Sequence, residues 1–536
     1  MKILIIGGVV GGVSAATRLR RNLEEAEIVL IERGSMASLA NCALPHYTCN
    51  LLRGNDDPLV TAAEQLQKRF RLDLRPFTSA KSIDRDGKTV TLRDLKTQAL
   101  YEESYDYLIL ATGALPVRRP LPGIGLAGVF SIGSTKDALR VCKQFGQIKK
   151  IVIANAGFTG LETAQELSRR GTAVELVESG PQLLSPFDSE MTSPLEEILK
   201  ANRVNVHLNE SLVAIEPGLK THLHSDKKLK ADLVLLGLDI RPENALAVDA
   251  GLTAGPRGGI LVNEHMRTVD PHIFAVGDWI HSIQAVEQHP VHMPLPDPSY
   301  RQGKIAADCI AGKGSSYRGC QGTVVVELFN LYAGATGASE GTLRSHAVPL
   351  QKVYIHANQN RGYPIENSLT LKVLFQPSDG KILGAQAIGG AGVEKQIDAM
   401  AVAIQGGLTV YDLENTELSC TSSRSPAKDP INLAGSVAAN LLRGDHPQIS
   451  AEEITAELSV LDVRTEPEFA AGHIPGAQHI PLDELRARLD EIPFDKGIVV
   501  YSQAGTRGYV ATRILMQKGF EVRNLSGGHR SFLMIS

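Results

Sequence analysis

Cys42 lies in the run Ser38-Leu39-Ala40-Asn41-Cys42-Ala43-Leu44-Pro45, ten residues beyond Glu32, the acid that closes an N-terminal dinucleotide-binding pattern. That position would put one sulfur, rather than a cysteine pair, beside the redox ring of a bound cofactor. A thiolate is the nucleophile in thiol–disulfide exchange, so a lone cysteine there can form and release a mixed disulfide. The competing reading is a buried inert thiol, since free cysteines commonly pack as small apolar residues.

The elements that must position this sulfur are legible around it. Lys2 to Ile6 is a short apolar strand running into Gly7-Gly8-Val9-Val10-Gly11-Gly12, and a small-residue helix is predicted from Val13 to Arg21. A second apolar run, Ile28 to Ile31, ends in Glu32 and Arg33. Glycines let the backbone approach a pyrophosphate, the helix start offers unpaired N–H groups, and the acid accepts ribose hydroxyls. Val9 takes the place of the middle glycine of the usual pattern.

The pattern recurs, which implies two nucleotides on one chain. Lys149 to Ala154 is the strand, Asn155-Ala156-Gly157-Phe158-Thr159-Gly160 the turn, Leu161 to Arg170 the helix, and Ala173 to Val177 ends in Glu178. Asn155 stands at the first glycine position; asparagine tolerates positive φ better than other non-glycine residues. Two shorter signals complete the set: Tyr105 to Leu110 followed by Ala111-Thr112-Gly113, and a strand His272 to Val276 closing on Gly277-Asp278.

From about Gly322 the glycine fingerprints stop, and strands (Val324 to Leu328, Leu369 to Phe375, Ile382 to Ile388) precede helical periodicity at Glu394 to Gln405 and Ile431 to Leu442. A polar linker, Arg443 to Gln448, leads to a last small α/β unit.

At 536 residues the chain is too long for one core, and about three or four domains are expected. Its 55 basic and 59 acidic residues balance, which argues against a nucleic-acid or membrane-surface role. Six cysteines (Cys42, Cys49, Cys142, Cys309, Cys320, Cys420) show neither a disulfide framework nor metal spacing. With no apolar run near the ~20 residues of a membrane span, a cytoplasmic protein is expected.

Two dinucleotide units, an Ala-Thr-Gly turn, a Gly-Asp turn and one cysteine in Asn-Cys-x-Leu-Pro resemble the flavoprotein pyridine nucleotide–disulfide reductases. Within them the chain is similar to the single-cysteine branch of coenzyme A-disulfide reductases, persulfide-reducing relatives and NADH oxidases. Gly157-Phe158 to Glu162, Arg301-Gln302-Gly303 and Ala427-Lys428-Asp429-Pro430 belong to the same likeness. Leu461-Asp462-Val463-Arg464, Glu468-Phe469, Gly472-His473-Ile474-Pro475-Gly476-Ala477 and a loop at Ser502 to Arg507 resemble a rhodanese domain. The implied fold is α/β with two Rossmann-like domains of glutathione-reductase type: FAD-binding at 1–115 and 255–321, NAD(P)H-binding at 116–254. An α+β dimerisation domain at 322–442 and a rhodanese-like α/β domain at 451–536 follow, in a homodimer.

The resemblance assigns Gly7, Gly8, Gly11, Gly12, Glu32, Arg33, Asn41, Thr112, Gly113, Gly277 and Asp278 to FAD. It assigns Gly157, Gly160, Glu162 and Glu178 to the nicotinamide nucleotide, with NADH preferred. Cys42 would form a mixed disulfide with coenzyme A, and Tyr363 matches a family tyrosine. Arg18, Arg20, Arg21 and Lys68 are the expected contacts for coenzyme A phosphates, although a solvated helix face explains the arginines as well. Cys49 lies outside this scheme, because its gap of six residues beyond Cys42 does not fit two-cysteine relatives. Cys420 occupies the register of a second family tyrosine.

The rhodanese loop normally begins with the cysteine that carries sulfane sulfur above a cradle of N–H groups; here Ser502 stands there, with Arg507 expected to supply charge to the substrate. A hydroxyl cannot hold a persulfide, so this domain is expected not to transfer sulfur. The leading reading is an NAD(P)H-dependent reductase of coenzyme A disulfide or persulfides. The rivals are an NADH oxidase in which Cys42 cycles through a sulfenic acid, and a non-catalytic nucleotide-binding sensor.

Overall fold

The structure is a computed structural model. It describes the chain apart from residues 35–57, 118–119, 132–147, 238–239, 292, 294, 359–367, 420–427, 494–495 and 536, and only the backbone of 58–63, 116 and 358. Cys42, Asn41, Tyr363 and Cys420 lie outside the described residues. Internal contacts divide the chain into two compact units, Met1–Ser179 with Glu210–Gly322 and Gly180–Asn209 with Thr323–Ser536.

In the first unit the strand Lys2–Ile6 lies at the centre of a parallel sheet in the order Ile273–Ala275, Tyr107–Leu110, Lys2–Ile6, Glu27–Ile31, Asp73–Arg75. Ile3, Leu4 and Ile5 are fully buried, as a parallel strand covered on both faces requires. The repeat is built alike: Lys150–Ala154 pairs with Ala173–Val177 on one side and Leu233–Leu236 on the other, again parallel. The helices that follow the two central strands run Val10–Asn22 and Phe158–Arg169. Each begins three residues earlier than the sequence predicts, so the second half of each glycine turn is already helix.

The second unit contains a five-stranded antiparallel sheet in the order Val324–Leu328, Leu331–Gly337, Ile382–Gly389, Ser368–Phe375, Gln351–Asn358, which leaves Gln351–Asn358 at an edge. The helix Pro430–Leu442 starts at the Lys-Asp-Pro run, where Asp429 Oδ1 accepts from Ile431 N at 3.0 Å and proline takes the first turn. A parallel sheet at the C-terminus has the order Gln448–Ile449, Val522–Leu525, Ile498–Tyr501, Ser459–Asp462, Gln478–His479.

Residues 180–209, which the sequence places within segment 116–254, belong by contacts to the second unit, and a buried charge cluster shows why. Lys372 is fully buried, and its ammonium donates to Asp188 at 2.8 Å, Glu190 at 2.5 Å and Glu340 at 2.7 Å. Asp188 and Glu190 sit at the start of the helix Ser189–Ala201. Burial opposes ionisation of Glu340, but Lys372 and Lys352 outweigh it and hold the carboxyl at about 2. Three carboxylates around one ammonium are a reminder that a buried ion is tolerated only with its partners in place.

The second unit also holds three histidines, His446 and His529 buried and His356 partly so, whose surroundings favour the neutral ring. Burial, with nearby Arg530, pushes His356 down to about 3; burial, with Arg513, pushes His446 down to about 4; burial, with Arg464, lowers His529. Unfolding lets each take up a proton near pH 6.5, so their effect on stability is absent above that pH and turns against the fold as the pH falls toward the folded values. Glu340 acts only below its ordinary 4.5. The unfolding transition of the second unit is therefore expected to drop between pH 7.5 and pH 5.5, and to drop less in a His356→Gln variant. Equal midpoints at the two pH values would contradict this.

Candidate functional site

Both nucleotide turns are shaped by backbone that has no room for side chains. Gly7 has φ +111°, and a Cβ there would lie 2.1 Å from Ala111 O, in the Ala-Thr-Gly turn. A Cβ on Gly12 would lie 1.9 Å from Gly7 O, and one on Gly160 would lie 2.1 Å from Asn155 O. Asn155 adopts φ +90°, the positive value expected of it, and its Oδ1 accepts from Gly157 N at 2.7 Å.

The closing acids fold back onto their turns in the same way. Gly8 N donates to Glu32 Oε2 at 2.9 Å, and Ala156 N donates to Glu178 Oε2 at 2.8 Å. Glu32 Oε1 also accepts from Gly34 N at 2.6 Å. Neither helix has a side-chain hydrogen bond at its N-cap, which is Val9 in one and Gly157 in the other. Their first N–H groups are thus left for an anion, and each acid stands beside them as an acceptor for hydroxyls. A glycine cradle, an uncapped helix start and an adjacent carboxylate fit a dinucleotide in both places.

The Gly-Asp turn meets the first of these. Gly277 has φ +104°, and its N–H donates to Gln302 Oε1 at 2.7 Å. A Cβ on Gly11 would touch Val276 at 3.2 Å and Gly277 Cα at 3.8 Å. Asp278 Oδ1 accepts from the Ser299 hydroxyl at 3.0 Å. A Cβ on Gly303 would lie 2.3 Å from Gly11 O, which explains the glycine of Arg301-Gln302-Gly303: it lets the helix Pro296–Ile310 cross closely over the first turn. Thr112 Oγ1 donates to Glu243 O at 2.8 Å, Gly113 takes φ +72°, and Arg33 Nη1 pairs with Glu243 Oε1 at 2.7 Å. Glu162 is half-buried on the second helix, just past its first turn rather than in it.

The basic residues read as phosphate contacts divide by what they bond. Arg20 is buried, and its guanidinium donates to the carbonyls of Phe70, Leu23, Glu24 and Arg71, so it ties the helix to the chain around it. Arg18 is committed to Asp308, Nε to Oδ1 at 2.6 Å. Arg21 and Lys68 are exposed. The two described cysteines, Cys309 and Cys320, are free, and burial pushes both thiols up, the opposite of an activated sulfur.

At the C-terminal loop the strand Ile498–Tyr501 delivers Ser502, which is 1% exposed. The helix runs Thr506–Gln517, so it begins inside the loop read as Ser502 to Arg507, after Gly505 at φ +92°. Gly508 N donates to Ser502 Oγ at 3.1 Å. Arg464 is buried, bidentate on Asp462 (Nη2 to Oδ2 2.7 Å), and its Nη1 donates to Gln503 Oε1 at 3.1 Å. Arg507, expected to offer its charge to substrate, is instead held by Glu468 through two bonds of 2.7 and 2.6 Å. Chiefly through Arg507, that carboxyl is held at about 2.

The family model described as pyridine nucleotide-disulphide oxidoreductase matches residues 1–293, more than half of the chain. The chain belongs to this family. The family's dimerisation domain matches residues 324–419, and a rhodanese-like domain matches residues 447–534. This oxidoreductase is similar over its whole length to the structure of reduced Bacillus anthracis CoADR-RHD, at 38% identity and a TM-score of 0.97, covering 100% of this chain and 98% of that one. It is likewise similar to an NAD-dependent persulfide reductase from A. fulgidus, at 33% identity and a TM-score of 0.91, covering 99% and 100%. A protein named NADH oxidase from Methanocaldococcus jannaschii is 30% identical over 440 residues, 81% of this chain and 98% of that protein.

The Ser526-Gly527-Gly528 turn and the Lys372 cluster carry no motif in the sequence reading, although a Gly-Gly pair after an apolar run is a visible turn signal. Among the described residues no helix is long and apolar enough to cross a membrane.

Proposed function

We propose that this oxidoreductase uses NADH to reduce coenzyme A disulfide, or the persulfides of coenzyme A and other small thiols, through Cys42, and that it works as a homodimer. The observation that carries the reading is the pairing of two like nucleotide cradles with one cysteine in Asn-Cys-x-Leu-Pro. The full-length likeness to relatives named for coenzyme A disulfide and persulfide reduction supports the acceptor.

Gly7, Gly8 and Gly12 with Glu32 and Asp278 would hold FAD, and Asn155, Gly157 and Gly160 with Glu178 would hold the nicotinamide nucleotide. Bound FAD supplies two-electron transfer between that nucleotide and sulfur. The chain's own chemistry is the attack of a Cys42 thiolate on a disulfide: one Cys42–coenzyme A S–S bond forms, the substrate S–S bond breaks, and one coenzyme A thiolate leaves. Two electrons from NADH then restore the Cys42 thiolate and release the second coenzyme A as a thiol. Arg21 and Lys68 are the exposed cations of the original set that remain for its phosphates.

NADH consumption with coenzyme A disulfide, coenzyme A persulfide and oxygen, compared side by side, tests the reading. Turnover with either sulfur acceptor should exceed that with oxygen; the reverse order would favour the NADH oxidase reading that the Methanocaldococcus relative's name supports. In the same assay NADH should be preferred over NADPH by about tenfold or more in kcat/KM, because the Glu178 carboxylate accepts ribose hydroxyls and repels a 2′-phosphate. Glu178→Ala should narrow that ratio, and equal use of NADPH by the unaltered protein would show that the acid does not set the preference.

A further inference from the structure

The strand Val522–Leu525 runs into Ser526-Gly527-Gly528, and a helix follows at Gly528–Ile535. Gly527 and Gly528 have φ +68° and +64°, two consecutive left-handed residues, a conformation that glycine adopts without steric cost. This turn is packed without slack on two sides. Toward the 502–507 loop, a Cβ on Gly528 would lie 2.1 Å from Ser502 O and 2.9 Å from Gly505 N; His529 N donates to Ser502 O at 2.8 Å and Arg530 N to Gln503 O at 3.1 Å.

Toward the dimerisation sheet, a Cβ on Gly527 would lie 2.8 Å from Tyr354 Cβ and 2.9 Å from His356 Nε2. Both residues belong to the edge strand Gln351–Asn358. Ser526 Oγ accepts from Tyr354 N at 3.3 Å, an edge N–H that would otherwise be open to water or another chain. Ser531 Oγ and His356 Nε2 hydrogen-bond at 2.8 Å, and His356 Nδ1 meets Thr370 Oγ1 at 2.9 Å on the neighbouring strand. The same edge strand is gripped a second time, since Glu452 of the C-terminal module pairs with Lys352. Tyr354 Oη donates to Glu190 at 2.8 Å, which ties it to the Lys372 cluster.

We propose that the segment Ser526–Ser531 is a rigid coupler that joins the 502–507 loop to the open edge of the dimerisation sheet, so that each responds to a disturbance of the other whether or not the module transfers sulfur. Close-packed groups have no free volume in which to absorb a displacement, and an equilibrium coupling between two places must act in both directions. The inference does not depend on the proposed reaction.

Hydrogen–deuterium exchange on the full-length protein tests it. In Gly528→Ala the three nearest neighbours of the new methyl are all on the loop side, yet exchange in residues 351–358 should rise on the order of tenfold, together with that of the loop. In Gly527→Ala the new methyl meets the strand side and Ser531, yet the loop peptide 500–508 should also exchange faster. Ser531→Ala, which removes one hydroxyl and creates no clash, guards against a folding failure and should raise exchange at both places by a smaller factor. Exchange confined to the loop in folded Gly528→Ala, or unchanged at both places in Ser531→Ala, would overturn the proposal.

Discussion

Cys42→Ser is expected to keep reduction of the bound flavin by NADH while losing turnover of coenzyme A disulfide or persulfide by about 10³-fold or more, because a hydroxyl is not ionised at neutral pH and forms no mixed disulfide. The two halves separate because the nucleotide cradles are built from backbone and carboxylates that the substitution does not touch: Gly8 N on Glu32, Ala156 N on Glu178. Flavin absorbance after mixing with NADH reports the retained half, and steady-state NADH consumption the lost half. Any coenzyme A carried through purification of the unaltered protein should be bound at Cys42 and absent from the variant. A Cys42→Ser protein that kept most of its disulfide reductase activity would mean that another group is the nucleophile.

Ser502→Cys should create thiosulfate sulfurtransferase activity where the serine form is expected to show none above background, because only a thiolate can carry sulfane sulfur and a helix start favours that ion. The loop already has the required shape. Gly505 holds the left-handed turn, a twelve-residue helix points its N-terminus at position 502, and Gly508 N already donates to the Oγ that sulfur would replace. Because Glu468 answers Arg507, the field at this position comes from backbone N–H groups and the helix. The expected outcome is activity with cyanide as acceptor and unchanged flavin reduction by NADH. Activity in the serine form would place the sulfane sulfur on another cysteine, and a folded but inactive cysteine form would show that the domain has kept the fold without the chemistry.

The nucleotide units were legible because their information is local. A five-residue strand, a glycine turn and an acid twenty-odd residues on lie in one stretch, and even the departure at Asn155 was predictable from the φ it must adopt. What escaped is what depends on distant chain. The strand Leu331–Gly337 reads as small residues without alternation; Gly334 is small because a Cβ there would lie 2.6 Å from Ile397 Cγ1 in the helix Val393–Gln405 that covers it. Nothing in the helix Val10–Asn22 discloses the four carbonyls that surround Arg20. The partner of Arg507 is equally hidden from a local pattern, because Glu468 lies 39 residues away. The proposed sulfur site rests on a short motif alone, whose residues 38–45 lie outside those the structure describes.

The Lys372 cluster also has a consequence for biosynthesis. Lys372 follows Asp188 by 184 residues, so the acidic start of the helix Ser189–Ala201 leaves the ribosome long before the ammonium that neutralises it. At ordinary elongation rates the wait is roughly ten to forty seconds. During that interval the helix cannot take its final place, because its carboxylates would enter the interior without a counter-charge. The segment 180–209 can therefore reach its final packing only once the strand Ser368–Phe375 has been made.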